Sequence, residues 1–167
     1  GVDTSTRSPR AGSLQEGNPM TSLTESASQA RSPQEVVEEY FARLHRRDES
    51  AFELVAEDFV NHAAAPQGRV GIRQIALILE GDLGSPEIRI HHVVASGDLV
   101  SVHLDLVGTH TGSTSPLLSA VPVSGKPIVW TFMHLFRVSD AMIAEHWACR
   151  DDLGLLAQLG AFPTPAP

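Results

Sequence analysis

The chain has 167 residues and a formal net charge of -8, from 20 acidic and 12 basic side chains. That length supports one hydrophobic core rather than two domains, and the acidic balance argues against nucleic-acid partners, whose phosphates are met by clustered Lys and Arg. The single cysteine, Cys149, has no internal disulfide partner, which suits a reducing cytoplasm, and no apolar run is long enough to cross a bilayer.

Residues 1–32 are rich in Ser, Thr, Gly, Pro and Arg without apolar periodicity, so this leader is expected to remain disordered. Met20 reads as a natural start, which makes Gly1–Pro19 an addition ahead of it; a secretory signal would need an apolar centre that the segment lacks. One ordered domain is expected over residues 33–162, followed by a loose tail at 163–167. Ser32-Pro33-Gln34-Glu35 is a capping box with proline at the first helical position, and Val36, Val37, Tyr40, Phe41 and Leu44 continue it as one apolar face. Asp48 caps a second short helix through Phe52, Leu54 and Val55, Phe59-Val60-Asn61-His62 leads into a loop, and a third helix runs from about Val70 to Leu79. The period then changes to extended: Glu87 to Ala95 and Leu99 to Val107 form one hairpin, and Ile128 to Val138 and Met142 to about Asp151 form a second. Helices first and strands last predict an α+β fold with helices packed on one face of a mostly antiparallel sheet.

On the last strand, alternation groups Ile143, Glu145, Trp147, Cys149 and Asp151 against His146, Ala148 and Arg150. An acid beside tryptophan on an apolar face is poorly solvated and suited to proton transfer, so Asp151 is the first catalytic candidate, with a cap for a helix beginning near Leu153 as the alternative. Trp130, Phe132, His134 and Phe136 share a face of the preceding strand, making His134 a titratable ring among aromatics, either functional or a satisfied core residue. Asn61 and His62 could meet a ligand carbonyl or simply cap their loop. Cys149 reads as a small core residue. The histidines lack the spacing of a metal site, and the one lysine, Lys126, lies in a turn, which disfavours Schiff-base chemistry. With no G-x-S-x-G, P-loop or G-x-G-x-x-G, cofactor-independent acid–base chemistry is what survives.

Phe59-Val60-Asn61-His62, Gly108-Thr109-His110-Thr111-Gly112, Val121 to Lys126, Ile143-Ala144-Glu145-His146-Trp147 and Asp151 to Gly160, in this order, resemble the SnoaL-like polyketide cyclases of the nuclear transport factor 2-like superfamily. The resemblance implies a cone-shaped α+β barrel, a curved sheet wrapped around N-terminal helices, holding a deep apolar pocket. It also implies intramolecular aldol closure of a small apolar polyketide, with no metal or other cofactor, by a homodimer or higher homo-oligomer associating through the outer sheet face. Carried over residue by residue, it makes Asp151 the general acid and base and His134 its partner, with Asn61 and His62 at the pocket; Trp130, Phe132 and Trp147, strand-face neighbours of His134 and Asp151, are expected to line the substrate. A non-catalytic small-molecule binding protein is the alternative within the same fold, and an epoxide hydrolase a weaker third. The stretch Gly112 to Pro122 is expected to be a lid or an edge cover.

Overall fold

A computed structural model describes residues 31–162, so the expectations for the leader up to residue 30 and for the tail 163–167 lie outside the described residues. Ser32 begins the first helix, α1 (Pro33–His45): its side chain accepts from the Glu35 N–H while the Glu35 carboxylate accepts from the Ser32 N–H at 2.7 Å. Ser32→Ala should therefore lower stability by about 1 kcal/mol in urea unfolding, and Ser32→Asp should restore most of it. Asp48 accepts from the Ser50 N–H and starts a 3-10 helix at Glu49–Leu54. Then follow β1 (Val55–Asn61), α2 (Gly68–Asp82), β2 (Glu87–Ser96), β3 (Leu99–Thr109), β4 (Pro127–Ser139), β5 (Met142–Arg150) and α3 (Asp152–Leu159).

The strands form one sheet in the order β1-β5-β4-β3-β2, with β1 parallel to β5 and every other pair antiparallel. Helices therefore lie against a mostly antiparallel sheet, the α+β arrangement expected from the element order. The strand at β1 is the exception: Phe59-Val60-Asn61 is paired sheet, not a lead into a loop. Its partner is the far end of the chain, and although the buried Val55, Phe59 and Asn61 share one face, the exposed Glu57 between them breaks the apolar alternation that would mark a strand.

The inner face of the sheet is read directly from burial. Val100, Val102, Leu104 and Leu106 of β3 and Ile128, Trp130, Phe132 and Phe136 of β4 are buried together with Val36, Val37, Tyr40 and Phe41 of α1. On β5 the face changes. The tight turn at Asp140-Ala141, both with positive φ (51° and 58°), pairs Ser139 with Met142 and Val138 with Ile143. Arg137 then pairs with Glu145, leaving Ala144 as a bulge, the extra residue that swaps the faces of everything after it. His146 is buried as a result, Trp147 and Glu145 turn outward, and Cys149 is exposed. Strict alternation from Ile143 is thus corrected, and so is the core placement of Cys149.

Among the described residues no helix is long and apolar enough to cross a membrane, and no group of three or more His, Cys, Asp or Glu side chains is placed to hold a metal ion.

Candidate functional site

The inner face of β4 carries an aromatic strip. Trp130 and Phe132 have ring centroids 4.8 Å apart, Phe132 and His134 5.1 Å, and His134 and Phe136 5.6 Å. Across the hairpin, His134 sits opposite Ala148 and Phe136 opposite His146. The small Ala148 leaves His134 to reach His146, with Nδ1 of His134 2.8 Å from Nε2 of His146. His146 in turn places Nδ1 3.3 Å from Oδ1 of Asn61, which the parallel β1–β5 pairing brings level with it.

The proton positions follow from the last acceptor. Asn61 Oδ1 accepts the Ala63 N–H at 3.0 Å, so this atom is the amide oxygen and the His146 Nδ1 facing it must donate. A neutral His146 then has its lone pair on Nε2, which accepts from His134 Nδ1–H. What remains is the lone pair on His134 Nε2. Both rings are held neutral: burial, then the neighbouring His146, pulls His134 down to about 3, and burial, then His62, pulls His146 down to about 4. Gln67 fixes the base of this relay, its side-chain oxygen accepting the Asn61 N–H and its NH2 donating to the Asn61 carbonyl, each at 2.8 Å.

A groove of about 290 Å³ runs between α1 and β2, lined by Glu38, Phe41, Ala42, His45, Arg46, Ile88 and Ile90. Phe41 lines it, and its ring centroid lies 5.9 Å from that of His134.

The other residues singled out in the sequence lie elsewhere. His62 and Trp147 stack on the outer face, 4.4 Å apart at 7°. There Glu145 accepts from Arg137 Nε at 2.8 Å and lies 2.9 Å from His62 Nε2, and the His62 hydrogen bond followed by Arg137 holds its carboxyl below the usual range. Asp151 is exposed and accepts the Gly154 N–H at 2.9 Å as the N-cap of α3. The inner face thus brings together His134, Phe132, Trp130 and Asn61 of the expected residues, and adds His146, which strict alternation had assigned to the opposite face. Signals for His146 existed in the Arg137 and Glu145 pair, whose opposite charges favour facing each other across the hairpin and so imply the bulge.

Two buried hubs hold the long connection between β3 and β4. Asp82, fully buried, accepts from Thr114 N, Thr114 Oγ1 and Ser115 N, each at 2.8 Å. His110, also fully buried, lies 3.1 Å from both Ser113 Oγ and Ser124 Oγ. Leu118 and Val121 from the same stretch are buried in the core, so in this conformation the segment is a wall of the domain.

The model of the SnoaL-like polyketide cyclase family matches residues 34–159. IdmH of Streptomyces antibioticus, a candidate polyketide cyclase, is 27% identical over 78% of this chain and 99% of its own, with a TM-score of 0.65. TsrD of Streptomyces laurentii is 22% identical over 77% and 95% of the two chains, TM-score 0.68. AclR of Streptomyces galilaeus, a candidate hydroxylase, is 19% identical over 79% and 87%, TM-score 0.67. The last two likenesses establish a common fold. Among curated proteins no significant match is found. Matched over nearly all of its described length and built on the same curved sheet, the chain belongs to the SnoaL-like polyketide cyclase family, within the nuclear transport factor 2-like superfamily.

Proposed function

We propose that this protein closes a ring in a small apolar carbonyl compound by an aldol-type reaction, or carries out a related isomerisation, through acid–base catalysis without a cofactor. The observation that supports it is the buried Asn61–His146–His134 relay, which leaves one imidazole lone pair on the aromatic inner face. In this reading His134 Nε2 takes an acidic proton from the carbon between two carbonyls. The enolate attacks the ketone carbon, the new carbon–carbon bond forms, and the alkoxide recovers the proton from His134 Nε2–H. The positive charge acquired midway is shared down the relay, as His134 Nδ1–H donates more strongly to His146 and His146 to the Asn61 oxygen. Burial makes His134 a weak base when alone, so the enolate must form in contact with the imidazolium, where low polarity strengthens their attraction. Asp151 serves in this reading as the cap of α3 rather than as the base.

The same burial supports a second reading, in which His134 accepts a hydrogen bond from a ligand that is bound and not converted. Exchange of the methylene protons of an aryl β-keto ester into D2O separates the two. Wild-type protein should accelerate exchange, and His134→Asn should lose about 100-fold or more of that acceleration while binding the ester comparably. Equal exchange by both proteins rejects catalysis by His134, and retained binding without any exchange selects the second reading.

A further inference from the structure

Three of the chain's eight histidines meet on the outer face of the sheet. Val102 and Leu104 of β3 point into the core, so His103 between them points out. Opposite it the ladder steps from the Ile90–Leu104 pair to the His92–His103 pair, which leaves His91 as an extra residue in β2. Strict alternation would send His91 and His92 to opposite faces. The bulge turns both toward His103, with ring centroids 4.9 Å and 5.4 Å from it. His91 is engaged elsewhere: its Nε2 lies 2.8 Å from Asp105 Oδ2, while Thr131 Oγ1 donates to the other Asp105 oxygen at 2.7 Å.

His92 and His103 are left facing each other. Their rings are parallel to within 3°, and the two Nδ1 atoms are 3.2 Å apart although the ring centres are 5.4 Å apart. Both nitrogens therefore lie close to the line joining the centres, so the rings are coplanar and edge to edge. In the neutral pair one Nδ1 carries a proton and the other a lone pair. Two nitrogens bound to one divalent first-row metal, at about 2.0–2.1 Å each and about 90–110° apart, are themselves separated by about 2.9–3.4 Å. The pair already has that spacing. The proton between them can move to Nε2 of its own ring, and histidine χ2 is soft enough for both rings to tip their Nδ1 lone pairs outward.

We infer that His92 and His103 chelate copper(II) through their Nδ1 atoms on the outer face of the sheet, with water in the remaining positions. Two imidazoles fall short of the three or four protein ligands of a zinc site. Copper(II) heads the divalent series for nitrogen donors and accepts a tetragonal arrangement partly filled by solvent. His92 is exposed and His103 half-buried, so the ion arrives directly from water and no charge enters the core. The relay through His134 lies on the opposite face and is untouched by copper bound here.

The test is titration of the full chain with copper(II) at neutral pH, followed by calorimetry and electron paramagnetic resonance. Cys149→Ser serves as the background throughout, because an exposed thiol competes for copper and reduces it. The expected result is one tetragonal centre per chain whose spectrum shows coupling to two nitrogens. His92→Gln and His103→Gln should each weaken binding about 100-fold, the factor lost when the second imidazole no longer binds intramolecularly. His91→Gln and His62→Gln should leave the affinity unchanged. Either of the first two variants decides the comparison should the other fail to fold, and each is checked by its melting temperature without metal. Wild-type affinity in His92→Gln or His103→Gln overturns the site, as does a centre coupled to fewer than two nitrogens. A loss in His91→Gln as large as that in His92→Gln overturns the two-imidazole assignment.

Discussion

Asp82→Ala should lower the unfolding free energy by about 4 kcal/mol in urea at neutral pH. The carboxylate is fully buried at the C-terminal end of α2 and accepts three hydrogen bonds from Thr114 and Ser115. Burial pushes its pKa up, but those bonds outweigh it and hold the group ionised, below the usual range. Removal leaves two backbone N–H groups stranded, and bonds to a charged acceptor are worth about 1.5–3 kcal/mol each before such non-additive losses. Gly112 makes the approach possible, since a Cβ there would sit 2.7 Å from Asp82 Oδ1. Asp82→Asn should cost less, because its amide oxygen can keep one side of the arrangement while its NH2 group opposes a donor. A variant at Asp82 with wild-type stability would show that the connection between β3 and β4 is held by its apolar residues alone.

Lowering the pH from 7 to 5 should cost about 2 kcal/mol for each of His134 and His146. Their imidazoles titrate near 6.5 when the chain is unfolded but are held at about 3 and about 4 in the fold. Below 6.5 the unfolded chain therefore takes up protons that the native state refuses, and stability falls as pH falls. The decline ends once the pH drops through the folded values, where the native rings also protonate. The carboxylates with lowered values, such as Asp82 and Glu145, contribute below the usual carboxylate range and so leave the upper part of this window to histidine. Urea unfolding of wild type and His134→Phe at pH 7 and pH 5 checks this: the variant should show about half the pH dependence. An identical dependence in both proteins would mean that His134 is protonated in the native state.

The capping box, both hairpins and α3 are visible in sequence because each depends on neighbours: Ser32 with Glu35, Gly97-Asp98 between β2 and β3, Asp151 ahead of Leu153. Asp151 also shows the limit of that legibility. One residue type fits both a cap and a desolvated acid, and solvent exposure separates them. The inner strip from Trp130 to Phe136 followed from simple alternation because β4 is regular over that stretch. His146 did not, since one bulged residue at Ala144 reverses the face and leaves no mark on the hydrophobic pattern. β1 was hidden for a different reason: its ladder partner lies near the other end of the chain, and the acidic Glu57 and Asp58 interrupt its short apolar face.

That distant pairing has a consequence for when the relay is complete. Asn61 and His146 are separated by 85 positions, and the first and last strands must meet before the relay exists. Contacts of such long range are the slow ones to form, because the intervening chain must be closed first. During synthesis α1, α2 and the β2–β3 hairpin can assemble on the ribosome before the relay exists. Only when β5 emerges and docks between β1 and β4 do the three polar side chains align, so the relay arises late in folding and a chain arrested before His146 lacks it.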